Sequence, residues 1–161
     1  GDAMILRKYK SDDCLNLLKL FYDTVRTVNK KDYNDEQLSV WAPDNYIEEK
    51  YDIWQKSLSE NFTIVAEINR EIAGFGDIEK TGYLNRLFIH KDYQHRGIAS
   101  SIVTELEKYA EKICIHTIIT EASITAKPFF ERIGYSMIKE QQVERKGIFL
   151  TNYVMEKNML K

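Results

Sequence analysis

Residues 83–99 read Tyr83-Leu84-Asn85-Arg86-Leu87-Phe88-Ile89-His90-Lys91-Asp92-Tyr93-Gln94-His95-Arg96-Gly97-Ile98-Ala99. The first half of this stretch is rich in apolar and aromatic residues and predicts a strand. A polar loop follows, and Gly97 precedes a segment in which apolar residues recur at the spacing of a helix. The stretch therefore predicts a strand, a loop and a helix whose first turn is entered through a glycine.

The start of this predicted helix is suited to binding an anion. The first backbone N–H groups of a helix have no partners within the helix, and the helix dipole adds positive potential there. Such a terminus binds phosphate. Gly97 permits close approach of a ligand and Arg96 adds a cation. Neither a P-loop nor a G-x-G-x-x-G pattern is present. The alternative is that Gly97 only eases the loop into the helix.

Outward from this stretch, the chain alternates between amphipathic helices and β-rich runs. The predicted strands are 4–9, 62–66, 72–76, 82–89, 116–121, 135–143 and 149–157. The predicted helices are one from an N-cap at Ser11, then 35–41, 47–58, 98–113 and 127–132 with Gly134 as C-cap. Asn69-Arg70 is a predicted hairpin turn. This order predicts an α/β (α+β) fold with a mixed, mainly antiparallel sheet.

Composition sets the class of protein. The 161 residues are 43% hydrophobic and 30% charged, with a net charge of −2, which is typical of one globular domain, expected over 4–161. Residues 1–3, before Met4, are interpreted as an expression scar. A nucleic-acid partner is not expected without a basic excess, nor a membrane partner without an apolar run of about 20 residues.

Cysteine and histidine usage predicts a cytoplasmic protein without a metal site. Cys14 and Cys114 lie far apart and in no ligand spacing, so both are expected to be reduced and mostly buried. The three histidines form no metal-binding motif.

Two segments together resemble the GNAT N-acetyltransferase superfamily. Leu87–Ala99 is similar to its acetyl-CoA motif R/Q-x-x-G-x-G/A, and Ala126–Tyr135 is similar to its A-x-x-F-Y-E-x-x-G-F segment. The resemblance covers Met4–Lys157 and implies a central sheet of six to seven strands flanked by helices. It also implies transfer of an acetyl group from acetyl-CoA to a primary amine of a small molecule or peptide, by direct attack in a ternary complex. A monomer or a homodimer fits the family.

The resemblance assigns residues to the co-substrate. The residues implied to hold the CoA pyrophosphate are Gln94, His95, Arg96, Gly97, Ile98, Ala99 and Ser100. Leu87, Phe88 and Ile89 would pair with the pantetheine arm, and a strand amide would polarise the thioester carbonyl. Ser123, Phe129 and Phe130 would lie beside the arm. The alternative for the two phenylalanines is plain core packing.

Two departures from the family pattern affect the proton transfers. Many members carry a tyrosine where this chain has Phe130, and a glutamate where it has Asn85. The amine must still lose a proton, and the leaving thiolate benefits from one. We expect Glu121 to act as base, directly or through water, with Tyr135 as a second catalytic candidate. Four further residues are candidates for these proton transfers: Asp77, Glu79, Tyr83 and Tyr153.

The N-terminal helices are expected to wall the acceptor site. They are rich in aromatic residues, which suits an aryl or a cationic acceptor, the latter by cation–π contact. Tyr22, Trp41 and Asp77 are the predicted acceptor-binding residues. The alternative is that these aromatic residues belong to the ordinary buried face of the helices. Three other functions stay open: a CoA-binding regulatory module without turnover, transfer of another acyl group, and O-acetylation.

Overall fold

Seven strands form one sheet within residues 3–160, which the computed structural model describes. The strands are β1 (Met4–Lys8), β2 (Phe62–Ile68), β3 (Glu71–Ile78), β4 (Tyr83–Ile89), β5 (Thr117–Ser123), β6 (Ser136–Arg145) and β7 (Ile148–Asn158). Their spatial order is β1-β2-β3-β4-β5-β7-β6. Every neighbouring pair is antiparallel except β4 and β5, which are parallel. The prediction of a mixed, mainly antiparallel sheet is confirmed.

Five α-helices of the described residues cover the two faces of the sheet. They are α1 (Cys14–Thr27), α2 (Asp35–Trp41), α3 (Tyr46–Glu60), α4 (Ile98–Lys112) and α5 (Lys127–Arg132). Leu18, Trp54 and Phe75 belong to a core between α1–α3 and one face. Ile102 and Leu106 belong to a second core between α4 and the other face. Each fully buried side chain of this size stabilises the fold by roughly 1.5–3 kcal/mol.

Two hairpins join sequential strands through two-residue turns of the same type. Asn69 and Arg70 between β2 and β3 have φ of 53° and 66°, and Lys146 and Gly147 between β6 and β7 have φ of 52° and 81°. Positive φ at both central residues matches the right-handed twist of the flanking strands. The turn predicted at Asn69-Arg70 is confirmed.

The entry to α1 differs from the prediction. Ser11 begins a 3-10 turn, Ser11–Asp13, and is not the N-cap of the helix. The Asp13 carboxylate instead accepts the Lys10 N–H at 2.8 Å and two hydrogen bonds from Arg7 at 2.8 Å. Because Asp13 closes the turn and pairs with β1, the α-helix begins one turn later, at Cys14.

The two cysteines have different environments. Cys14 is buried as expected, whereas Cys114 is exposed, so its predicted burial is wrong. Cys114 follows the end of α4 with φ of 65°, and this left-handed turn directs the chain out of the helix at the surface. Of the three residues interpreted as an expression scar, Gly1 and Asp2 lie outside the described residues.

Candidate active site

The strands β4 and β5 separate near the middle of the sheet. They pair only at Tyr83 with Ile119 and at Leu84 with Thr120. From Asn85 onward β4 pairs with β3 alone, and β5 from Glu121 onward pairs with β7 alone. The separation opens a cleft whose two edges carry main-chain groups without strand partners. Such groups bind an extended ligand in the manner of an added strand.

The orientation of the β4 main chain follows from its hydrogen bonds. The His90 N–H donates to the Ala73 carbonyl of β3 at 2.8 Å. Because N–H groups alternate in direction along a strand, the Leu87 and Ile89 main chain points away from β3, into the cleft. The Ile89 carbonyl confirms this direction, since it accepts bonds from Thr24 Oγ1 and Gln94 Nε2 at 3.1 and 2.8 Å. The Leu87 N–H is therefore a donor aimed into the cleft.

The helix α4 begins at the end of this cleft. Gly97 is its N-cap with φ of 78°, and no side chain caps the first turn. Within the described residues, no heavy atom lies within 4 Å of the position that a Gly97 Cβ would occupy. Ile98 is buried and anchors the turn, while Gln94 holds the preceding loop to β4. The first N–H groups of α4 are thus free and accessible, as binding of a pyrophosphate requires.

The other residues predicted to hold the CoA pyrophosphate surround this turn. His95, Arg96 and Ser100 are exposed and Ala99 is half-buried. His95 has φ of 60°, and the Arg96 guanidinium lies 5.1 Å from the centre of the Tyr93 ring. The structure therefore brings the whole predicted set, 94–100, to one helix start.

The two phenylalanines of the segment after β5 differ in burial. Phe130 is 3% exposed, and its ring lies 5.2 Å from Phe129 and 5.1 Å from Tyr135. Its surroundings are those of the core-packing alternative, whereas Phe129 is only half-buried. Ser123 Oγ accepts the Ala126 N–H at 3.1 Å and so fixes the turn into α5.

A cavity of about 400 Å³ opens beside the cleft on the α1–α3 side of the sheet. The strand residues that line it are Tyr83, Asn85, Arg86, Phe88, Glu121, Ser123, Val143, Arg145, Leu150, Thr151 and Asn152, and those outside the sheet are Phe21, Tyr33, Trp41, Tyr46, Lys50, Ile53 and Trp54. Because Asn85, Phe88 and Ser123 also border the separated strands, the cavity and the cleft are continuous.

Glu121 presents a carboxylate at this junction. Its Oε2 accepts the Tyr83 hydroxyl at 3.2 Å and its Oε1 accepts Gln141 Nε2 at 2.8 Å. Burial, with the Glu121 charge second, raises the pKa of Tyr83 above its ordinary value, so the phenol stays protonated and donating near neutral pH. An oriented carboxylate of this kind can accept a proton from a bound amine.

Beneath the cavity lies a buried ion pair. Asp77 is 0% exposed, and its Oδ2 accepts Arg86 Nη1 at 2.5 Å and Asn61 Nδ2 at 2.9 Å. Burial raises the pKa of Asp77, an effect that the charge of Arg86 opposes. Asp77, predicted to bind the acceptor, is not a lining residue of the cavity, whereas its partner Arg86 is. Arg86 also lies 4.7 Å over the Trp54 ring.

The sequence interpretation missed Arg86, although one signal was available. Arg86 is the one charged residue of a strand whose other residues are apolar, aromatic or uncharged, and such residues are rarely buried without a partner. Lys50, Arg145 and Asn152 were also missed, because they come from α3, β6 and β7 and meet only in the folded chain.

Two of the predicted site residues lie away from the cavity. Tyr135 is 3% exposed, and its hydroxyl donates to Glu107 of α4 at 2.9 Å in the other core. The Tyr22 hydroxyl donates to Asp44 at 2.8 Å on the surface, and Tyr22 is not a lining residue. Trp41, the other aromatic residue predicted to bind the acceptor, lines the cavity.

Neither a metal site nor a membrane span was found in the described part of the chain. No group of three or more His, Cys, Asp or Glu side chains there could hold a metal ion. No helix among residues 3–160 is both long and apolar enough to cross a membrane.

Comparison with known proteins identifies close similarity. The acetyltransferase (GNAT) domain family matches residues 29–157. The chain is 35% identical over 151 residues to the uncharacterized N-acetyltransferase YafP of Escherichia coli (strain K12), covering 93% of each chain. A GCN5-related N-acetyltransferase from Rhodopseudomonas palustris superimposes with a TM-score of 0.89 at 25% identity, over 96% of this chain and 94% of that one.

A more distant structure supports the fold. The PaiA N-acetyltransferase from Thermoplasma acidophilum, solved in complex with coenzyme A, has a TM-score of 0.74 at 19% identity, with 97% of this chain and 99% of that one covered. The arrangement of helices and sheet thus belongs to an architecture found in other proteins.

Proposed function

The chain belongs to the GNAT acetyltransferase family, and from this premise we propose that acetyl-CoA binds along the β4–β5 cleft while the adjoining cavity binds the amine acceptor. The activity is that of an acetyl-CoA-dependent N-acetyltransferase. One observation carries the placement: the two strands part after Leu84 and Thr120, and the open edge of β4 leads to the uncapped start of α4.

The residues present fit the co-substrate. The free N–H groups at the start of α4, with Arg96 beside them, would hold the pyrophosphate. The β4 edge at Leu87 and Ile89 would pair with the pantetheine arm, next to the half-buried Phe129. Bound acetyl-CoA supplies a thioester carbonyl that an amine can attack directly. The Leu87 N–H would donate a hydrogen bond to that carbonyl oxygen as negative charge develops on it.

Glu121 is the proposed general base. An aliphatic amine is mostly protonated near neutral pH and must lose a proton before it attacks. The Glu121 carboxylate, held by Tyr83 and Gln141, would accept this proton directly or through one water. Asn85 and Phe130 cannot serve as the base and acid that many family members place there, so Glu121 takes the first of these roles in this chain.

The test follows release of free thiol from acetyl-CoA with a panel of primary amines. We expect Glu121→Gln to lower kcat by roughly 10²–10⁴-fold and to leave the affinity for CoA unchanged, because only proton removal is lost. The matched control is Glu140→Gln, an exposed carboxylate of β6 that does not line the cavity. Full turnover of Glu121→Gln with an unaltered pH–rate profile would contradict the assignment.

A CoA-binding regulatory module without turnover is the second candidate. The observation in its favour is the loss of both usual proton-transfer residues, at Phe130 and Asn85, beside an intact helix start. Tight binding of CoA with no thiol release for any amine would favour this candidate over the enzyme. Release with longer acyl-CoA thioesters but not with acetyl-CoA would indicate transfer of another acyl group.

Direct transfer does not use a cysteine. Cys14 is 0% exposed, and burial raises the pKa of its thiol, which makes it a poor nucleophile. Mass spectrometry after treatment with acetyl-CoA should therefore find Cys14 unmodified. An acetylated Cys14 would overturn the direct mechanism.

The setting of the enzyme is part of the same proposal. Two unpaired thiols, one of them exposed, suit a reducing compartment, and we place the protein in the cytoplasm. We also propose one domain over residues 4–161 that acts as a monomer or a homodimer, which sedimentation would distinguish.

A further inference from the structure

The charges that line the cavity are unequal. Three basic side chains, Lys50, Arg86 and Arg145, face it, against the single carboxylate of Glu121. Arg86 is neutralised by Asp77 at 2.5 Å. Within the part of the chain that the structure describes, Lys50 and Arg145 have no carboxylate partner within ion-pair distance. The cavity therefore carries two uncompensated cations. Both lie near Tyr46, because the Arg145 charge acts on the Tyr46 phenol and Lys50 lies one turn from Tyr46 on α3. The part of the cavity that Lys50 and Arg145 line is called here the basic end.

The basic end lies apart from the proposed base. Gln141 of β6 contacts Glu121, and Arg145 is four residues farther along the same strand. At about 3.4 Å per residue, Arg145 begins roughly 14 Å from Gln141 along the strand. The flexible side chains bring the charged groups themselves closer together than this main-chain distance. An acceptor that reaches both ends is thus longer than a simple α-amino acid, whose amine and carboxylate are attached to the same carbon.

Aromatic rings also line the cavity. Trp41 and Tyr46 are half-buried lining residues, and the Tyr33 ring packs on Trp41 at 5.3 Å. These rings offer apolar surface to the middle of a ligand. An acceptor with a second cationic group at its far end, which an aromatic wall alone would also suit, would meet repulsion from Lys50 and Arg145.

We propose that the acceptor is a primary amine whose far end carries a carboxylate or phosphate, bound by Lys50 and Arg145. The inference rests on the proposed function, since it assigns the cavity to the acceptor. The amine lies at Glu121, an apolar or aromatic middle lies along Trp41 and Tyr46, and the anion lies at the basic end. Guanidinium and ammonium groups form charge-assisted hydrogen bonds with such oxyanions.

Binding is measured first, without turnover. Trp41 and Trp54 are the only two tryptophans of the chain and both line the cavity, so tryptophan fluorescence reports its occupancy. The protein is saturated with CoA and titrated with 4-(aminomethyl)benzoate, with 4-(aminomethyl)benzamide, which has an uncharged amide in place of the carboxylate, and with the corresponding phosphonate. We expect the carboxylate or the phosphonate to bind about tenfold more tightly than the amide. Whichever binds more tightly identifies the anion.

Variants connect this preference to the basic end. Lys50→Gln and Arg145→Gln should each weaken binding of the anionic probe about tenfold, while binding of the amide stays the same. Lys56→Gln on α3 and Arg132→Gln on α5 change the same charges at exposed positions outside the cavity and should have no effect. CoA itself should bind all four variants as it binds the unchanged protein.

The outcomes separate this inference from the proposed function. Equal affinity for anion and amide, no fluorescence response to any probe, or a loss of CoA affinity in Lys50→Gln or Arg145→Gln would overturn the inference. If the amide is acetylated as fast as the carboxylate, the proposed acetyltransferase activity is supported and the proposed anion site is contradicted. If the carboxylate binds at the basic end but no amine causes release of thiol, the anion site is supported and the proposed activity is contradicted.

Discussion

The pair of Asp77 and Arg86 shows how one charged residue can be held beneath a site. Asp77 is fully buried, which disfavours its ionised form unless a cation is close. Arg86 supplies that cation and donates a second bond to Ser57 Oγ while it covers the Trp54 ring. The guanidinium is thus fixed from three sides as part of the cavity wall.

Removal of one partner should cost stability. We expect Asp77→Asn to lower the free energy of unfolding by about 3 kcal/mol, because Arg86 would keep its charge in a largely buried position without a partner. Urea denaturation measures the change. Glu79→Gln, at a half-buried position just after β3, is the control and should stay within about 0.5 kcal/mol of the unchanged protein. Equal stabilities of the two variants would show that the pair contributes nothing.

Residue roles were the least predictable part of the site. Tyr135 and Tyr22 are both phenols near predicted site segments, yet one packs into the core against Glu107 and the other bonds Asp44 at the surface. Whether a side chain lies in the core, at the cavity or on the surface depends on which face of the sheet its element covers. A single sequence does not contain that information. Glu121, in contrast, lines the cavity, because it directly follows Thr120, the last residue of β5 that pairs with β4.

Elements were predicted with more success, because their signals are local. The bounds of α2 at Asp35–Trp41 are those expected, and the strand–loop–helix of β4 and α4 lies where its apolar spacing placed it. The signals that failed involve a competing partner. Asp13 displaced Ser11 at the start of α1 because Asp13 can bond both Lys10 and Arg7.

The start of α4 gives a prediction for one element. Gly97→Ala should lower the free energy of unfolding by about 1–2 kcal/mol, because φ of 78° is strained for any residue with a Cβ. It should also weaken CoA binding about tenfold, because the new methyl group occupies the space that a phosphate needs. Isothermal titration with CoA and urea denaturation measure the two effects.

Gly147→Ala is a matched control for that change. Gly147 has φ of 81° and likewise no described heavy atom within 4 Å of its Cβ position, but it lies in the β6–β7 turn. A similar loss of stability with no change in CoA affinity is expected. If both variants bind CoA as the unchanged protein does, the start of α4 does not hold the pyrophosphate.

Buried and half-buried phenols contribute to how the whole molecule responds to alkali. Burial is the largest cause of a raised pKa at Tyr9, Tyr33, Tyr46, Tyr83 and Tyr135. In the unfolded chain these groups ionise near pH 10. Above that pH the unfolded state binds fewer protons than the native state, so stability falls as pH rises. Below about pH 10 the contribution of these groups is fully present.

This response can be measured by urea denaturation between about pH 8 and about pH 11. We expect the midpoint to be constant at the lower end and to fall steeply above about pH 10. Tyr135→Phe should make the fall shallower, since it removes one of the five phenols while the Glu107–Lys157 ion pair remains. A midpoint that does not depend on pH over this range would contradict the burial of these groups.

The parting of β4 and β5 also bears on how relatives of this protein diverge. Contacts made by main-chain N–H groups, at Leu87 and at the start of α4, survive almost any substitution of side chains. Cavity residues such as Lys50, Trp41 and Arg145 come from other elements and contribute only their side chains. Mutational drift can therefore exchange one acceptor for another while co-substrate recognition is inherited unchanged.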